Sequence, residues 1–281
     1  MAKAIITADS TCDLSPELRE RFGVRTVPLT ITLGEESFLD GEHFTPADMY
    51  RRYRADGTLP TTSAPSLQQY ADFFSEITRD GCEVVHLTIS AELSASYNNA
   101  RLAAEAVPGV HVVDSRMLST GIALLAIEGV EASRRGLGAE EIAAQLRAMA
   151  DHVQTSFVLD TLEFMRKGGR CSGVTAFGAN LLKIKPALMM KDGKLQIYKK
   201  YRGGIESVYR QYITERLEGK RVRGSHVFLT ESGEVAPEVL AELEALVREH
   251  VGACEIHHAI AGCTISSHCG PKTLGILFLE E

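Results

Sequence analysis

Val84-Val85-His86-Leu87-Thr88-Ile89-Ser90, followed two residues later by Leu93-Ser94-Ala95-Ser96-Tyr97-Asn98-Asn99-Ala100, is the stretch that decides the fold. The first run is rich in β-branched and apolar residues and reads as a central strand. It feeds directly into the second, which continues as a helix. Upstream, Ala4 to Ala8 reads as a buried first strand, followed by the polar loop Asp9-Ser10-Thr11-Cys12-Asp13. Downstream, His111 to Ser115 is the next strand, followed by a helix from Thr120 to Arg134. Strand and helix in alternation imply a parallel sheet with helices on its faces. Ligands in such sheets sit beyond the carboxyl ends of the strands, which here are Asp9, Ser90 to Ser94 and Asp114 to Ser119.

Helix starts elsewhere carry their own signals. Ser15-Pro16 and Thr45-Pro46 pair an N-cap with proline at the first helical position, and Ser66 caps a helix over Leu67 to Thr78. Val27 to Leu33 alternates weakly and is expected as one strand. Ile142, Leu146, Met149 and Val153 form a helical stripe near which the chain divides into an N-terminal α/β domain, 1–154, and a C-terminal one, 155–281. In the second half, Ala187 to Tyr201 is expected as a hairpin turning at Asp192-Gly193. His226 to Thr230 and Thr273 to Leu279 read as strands, and Val239 to Val251 as an amphipathic helix.

Composition limits what the chain does. Of 281 residues, 44% are hydrophobic and 24% charged, as in ordinary globular domains. The net charge of −7 argues against a nucleic-acid partner. The basic run Lys199-Lys200-Tyr201-Arg202 reads first as a solvated face and second as a dock for an acidic partner. No apolar run reaches the ~20 residues that span a bilayer, and no signal peptide is apparent at the start. The expectation is a cytoplasmic protein. The six cysteines form no C-x-x-C and no zinc spacing, so no metal or cofactor is expected. Cys171 and Cys269 lie inside polar motifs but read as small buried residues.

Four polar motifs carry the candidate chemistry, each expected in a loop. Thr62-Ser63-Ala64-Pro65-Ser66 offers hydroxyls before a turn. Ser90 to Tyr97 presents backbone N–H groups at a helix start, fit for an anion or for a plain cap at Ser94. Arg166-Lys167-Gly168-Gly169-Arg170 combines a helix C-cap with a guanidinium suited to a carboxylate or phosphate. Ser267-His268-Cys269-Gly270-Pro271 places an imidazole before a buried strand, either facing a cleft or fixing its own loop. Nucleotide-binding glycine motifs are absent from the sequence. A hydrolase or transferase using Ser94 and His268, with Asp114, has the right residue types but lacks the G-x-S-x-G elbow.

Taken in order, these motifs resemble the DegV family of bacterial fatty-acid-binding proteins. The matching stretches are Asp9 to Leu14, Thr62-Ser63-x-Pro65-Ser66, Leu93-Ser94-x-x-Tyr97, Val113-Asp114-Ser115, Gly168-Gly169-Arg170, Leu181-Leu182-x-Ile184-Lys185-Pro186 and His268-x-Gly270-Pro271. The resemblance implies two α/β domains with a long-chain fatty acid lodged in a tunnel in the cleft between them. It assigns the fatty-acid carboxylate to Thr62, Ser63 and Ser94, and places Gly169, Arg170 and His268 near the head group. It also implies that the chain is not itself an enzyme. A separate fatty acid kinase would phosphorylate the carboxyl in phospholipid metabolism, docking on a surface that includes Arg202.

Overall fold

The structure, a computed structural model, describes residues 3–169 and 184–281. A four-stranded parallel sheet, in the order β2-β1-β6-β7, comprises β1 (Ala4–Asp9), β2 (Arg25–Val27), β6 (Glu83–Thr88) and β7 (Val110–Asp114). Helices α3 (Leu67–Thr78) and α4 (Ser96–Ala104) cover one face, where Tyr70, Phe74, Val84 and Ala100 pack. Helices α1 (Pro16–Phe22), α5 (Thr120–Arg134) and α6 (Ala139–Met149) cover the other. The caps read from sequence are in place: the Ser15 and Ser66 hydroxyls accept from the backbone N–H of Leu18 and Gln69.

A second sheet has six strands in the order β10-β9-β8-β13-β11-β12. They are β8 (Val153–Val158), β9 (Ile184–Lys191), β10 (Lys194–Arg202), β11 (Val222–Glu231), β12 (Glu255–Ile260) and β13 (Leu274–Glu280). Its outer face packs on α8 (Ile205–Leu217) and α9 (Pro237–Val251). Its inner face, with Phe157, Leu188, Phe228 and Leu277, meets the core around α5. Helix α5 therefore lies between the two sheets, which explains why its sequence is apolar on nearly every side. Each of its fully buried residues Ile122, Leu125 and Ile127 contributes about 1.5–3 kcal/mol of transfer free energy. The β9–β10 hairpin turns through Asp192 and Gly193, both at positive φ, as an Asp-Gly pair favours.

A small antiparallel sheet, β4-β3-β5, is built from β3 (Thr30–Leu33), β4 (Glu36–Leu39) and β5 (Thr61–Ser63). With α2 (Pro46–Asp56), α7 (Glu163–Lys167) and α10 (Cys263–Cys269) it encloses a separate cluster around Met49, Tyr50 and Phe164. Three expectations change here. Val27 to Leu33 is not one strand: Pro28 lacks the N–H a ladder needs, and β2 and β3 lie in different sheets. Thr61-Thr62-Ser63 is a strand rather than a turn, paired to Thr32, Ile31 and Thr30. His268 lies on a helix rather than in a loop, and Gly270 at φ +76 ends that helix.

Candidate functional site

A cavity of about 250 Å³ is lined by residues of the six-stranded sheet, of loops that follow strands of the parallel sheet, of β5 and of α10. Much of its wall is apolar: Leu29, Ile89, Leu93, Leu118, Phe157 and Leu277 all face it. Polar groups enter from a few elements. Thr62 comes from β5, Ser94 from the loop between β6 and α4, and Ser119 from the end of the β7–α5 loop. Thr264 and His268, four residues apart on α10, share the helix face that also presents Ile265 and Cys269. The two loops lie beyond the carboxyl ends of β6 and β7, where an open parallel sheet places ligands.

His268 Nε2 lies 3.2 Å from Thr62 Oγ1, joining α10 to β5 across 206 residues of sequence. Ser94 Oγ accepts from the Ser96 N–H at 3.2 Å and stands 2.9 Å from Ser96 Oγ. Ser94 thus orders the first turn of α4 from inside the loop, while the residue at the cap position is Ala95. The two readings of Ser94, cap and site, are compatible: its hydroxyl supports the helix start and lines the cavity. Gly168 allows the His268 ring to lie directly against the backbone after α7, since a Cβ there would stand 3.0 Å from His268 Cε1 and 3.2 Å from Phe164 O. At Gly270 a Cβ would stand 2.5 Å from Phe164 Cδ2, so α10 and α7 approach closely at both glycines.

The remaining sequence candidates fall differently. Ser63 is exposed and does not line the cavity, because strand alternation turns it away from the face that Thr62 occupies. Gly169, at φ +71, is exposed just after α7. Arg170 and Cys171 lie outside the described residues. Arg202 is exposed at the end of β10. Other basic residues of β10 are drawn into intramolecular pairs, Lys199 with Glu215 at 2.6 Å and Lys194, at the far end of the strand, with Glu92 at 3.5 Å. Cys269 lines the cavity, but burial pushes its thiol up to about 12, far from a reactive thiolate.

Asp9, first expected at the ligand end of the sheet, is consumed by structure. Its carboxylate accepts from Tyr70 OH at 2.6 Å and from the Ile89 N–H at 3.0 Å. Asp114 Oδ1 likewise accepts from the N–H groups of Ala91 and Arg116. With Asp114 on backbone and His268 Nε2 on Thr62, the residues of the hydrolase reading do not assemble into a relay. His226, Glu255 and His257 bring donor atoms within 4.8 Å of one another. However, His226 Nδ1 and His257 Nε2 hydrogen-bond to each other at 2.9 Å, and Arg21 holds both oxygens of Glu255. One nitrogen of each histidine and both oxygens of Glu255 are thus already engaged within the protein.

Ser119 falls in the Asp114 to Ser119 stretch expected at the ligand end of the sheet, whereas sequence reasoning missed Thr264 and Glu231. Glu231 is buried in the cavity wall with its pKa raised by desolvation, and it accepts from the Gly233 N–H at 2.5 Å. Its place at the carboxyl end of β11, before Ser232-Gly233, was the available signal. Thr264 offered none, because α10 has no apolar periodicity.

The family model described as "Uncharacterised protein, DegV family" matches residues 3–281. The chain belongs to the DegV family. Among curated DegV relatives, a DegV domain-containing protein of Deinococcus radiodurans is 32% identical over 285 residues, covering 98% of each chain. Among solved structures, a DegV family protein from Thermus thermophilus, described by its fatty-acid binding, superposes with a TM-score of 0.89 at 32% identity. That match covers 99% of this chain and 100% of the other. The Streptococcus pneumoniae Fatty Acid Kinase (Fak) B3 protein, loaded with linoleic acid, shares the DegV fold with a TM-score of 0.84 at 23% identity over the full length of both chains. The mixed α/β architecture with a parallel sheet and a second sheet is that of the DegV structures. Among the described residues, no helix is long and apolar enough to cross a membrane.

Proposed function

We propose that this DegV protein carries a long-chain fatty acid, with its carboxylate at Thr62, Ser94 and His268 and its tail along the apolar wall, and presents the carboxyl to a separate fatty acid kinase. The observation that carries the reading is the cavity itself: two hydroxyls and an imidazole gathered beside a largely apolar surface between the six-stranded sheet and the loops of the parallel sheet. The Thermus relative, similar along its whole length, is described as fatty-acid binding. The Fak B3 protein, of the same fold, suggests the kinase.

The chemistry is consistent with carriage. Each buried methylene contributes ~0.8 kcal/mol, so a chain of about 16 carbons gains on the order of 11 kcal/mol before the several kcal/mol that association costs. A carboxylate removed from water needs donors, and the hydroxyls of Thr62 and Ser94 supply them. Hydroxyl donors leave the carboxylate without a fixed counter-charge, able to accept a phosphoryl group. Native mass spectrometry of the purified protein, followed by organic extraction, tests the reading. A fatty acid released at one per chain supports it. A clean apo mass that stays unchanged after incubation with a panel of fatty acids refutes it.

A further inference from the structure

Helix α10 presents four residues to the cavity, yet its N-terminal end has no side-chain cap from its own sequence, since Gly262 stands at that position. Two aspartates from the first forty residues take that role. Asp13 Oδ1 accepts from the Gly262 N–H at 2.8 Å, and Asp40 Oδ1 accepts from the Thr264 N–H at 3.2 Å. The fit is close: a Cβ at Gly262 would stand 2.9 Å from Asp40 Oδ1 and 3.2 Å from Asp13 Oδ1. The outer oxygens are tied down as well. Ser119 Oγ donates to Asp13 Oδ2 at 2.5 Å, and Ser10 Oγ donates to Asp40 Oδ2 at 2.9 Å. Both carboxyl groups are buried.

Asp13 therefore joins two walls of the cavity, α10 through Gly262 and the α5 start through Ser119. Ser119 is held at φ 52, a region a non-glycine residue occupies only when its surroundings enforce it. The geometry points to Asp13 and Asp40 as positioning residues for the head-group site, a clamp that sets where α10 holds His268 and hence how tightly a fatty acid binds, with Asp13 as its titrating member. The inference deepens the carrier reading and rests on it.

Burial raises the Asp13 pKa from 3.8 to about 8, against the lowering effect of the Ser119 and Gly262 hydrogen bonds, and Asp40 raises it further. The other titratable groups around the clamp are Cys12, Cys263 and Cys269, each of whose thiols is pushed up by burial and by Asp13. Because the folded state binds the Asp13 proton more tightly than the unfolded chain does, the protonated clamp's stability is fully present below about pH 4 and is lost as pH rises toward 8. Above that, the charged Asp13 side chain lies against Asp40 in a buried pocket, and moving the two apart shifts α10.

The experiment uses the full chain and three variants: Asp13→Asn, which keeps an acceptor for Gly262 and tolerates positive φ, Asp13→Ala, and Asp40→Asn. Oleic acid affinity is read by displacement of a fluorescent fatty-acid analogue from pH 6.5 to 9, beside urea unfolding of the apo protein over the same range. The wild type is expected to weaken by about tenfold toward pH 9, the scale of one lost hydrogen bond, while apo stability falls up to about pH 8 and levels off above it. Asp13→Asn should flatten both curves and restore at pH 6.5 the affinity that Asp13→Ala loses. Asp40→Asn should move the transition to lower pH. Identical pH curves for wild type and Asp13→Asn would overturn the clamp. The apo stability curves decide the clamp even if no fatty acid binds at any pH, an outcome that would instead sink the carrier reading.

Discussion

Gly168→Ala is the sharpest perturbation of the site that leaves every polar group in place. The glycine has an ordinary helical φ of −77°, so alanine introduces no backbone strain there. The effect is purely one of space. The new methyl would stand 3.0 Å from His268 Cε1, nearer still to Nδ1, and 3.2 Å from Phe164 O. Ordinary contacts lie near 3.5–4.0 Å, so the imidazole, closest at Nδ1, must retreat by about 1 Å or more. At 3.2 Å the contact to Thr62 Oγ1 has little slack and is lost on that retreat. Overpacking of this kind costs about 1–3 kcal/mol, a fall in Tm of roughly 5 °C for a chain of this size. Oleic acid affinity should fall about tenfold with it. Differential scanning fluorimetry and probe displacement measure the two effects. The diagnostic step is the double variant: His268→Ala removes the obstacle, so Gly168→Ala should cost little on that background, giving a coupling of about 1 kcal/mol or more. Strict additivity of the two substitutions would refute the packing argument.

The other predictions concern the same site and its surroundings. Thr62→Val and Ser94→Ala should each weaken oleic acid binding by about tenfold, the usual cost of one donor to a charged group, and unchanged displacement curves would count against those assignments. Arg202→Glu should leave lipid affinity as it is but lower acyl-phosphate formation with the cognate kinase; equal turnover would remove Arg202 from the docking surface. Gly270→Ala combines a left-handed φ with a methyl 2.5 Å from Phe164 Cδ2, so it should destabilise the fold by about 2–4 kcal/mol in urea titration. A variant as stable as the wild type would mean that α7 and α10 part easily.

What the sequence reveals follows from how local each signal is. Helices α3 and α5 were legible to the residue at both ends, the first from Ser66 at its cap and the second from its long apolar run. The β9–β10 turn was legible from Asp192-Gly193 alone. Where the deciding contact lies far away in the chain, reading fails. Thr61 to Ser63 looks like a turn because Pro65 follows, and only its pairing with β3 makes it a strand. Helix α10 is short, small-residued and closed by Gly270-Pro271, so it reads as a loop; its N-terminal partners, Asp13 and Asp40, are 249 and 224 residues away. His268 and Thr62 were both picked out as candidates. Ser63 was picked with them because adjacent hydroxyls look alike until strand alternation separates them.

Those separations bear on how the protein reaches its native state. The contacts that build the site span 206, 224 and 249 residues, and an ion pair between Arg21 and Glu255 adds another crossing of 234. Closing loops of that length is the entropically dear, slow part of folding, and no half of the chain can complete the site alone. Ligand affinity should therefore appear in the last kinetic phase of refolding, after both sheets have formed. A lipid probe added during refolding would then report arrival of the finished molecule, silent toward every intermediate that precedes it.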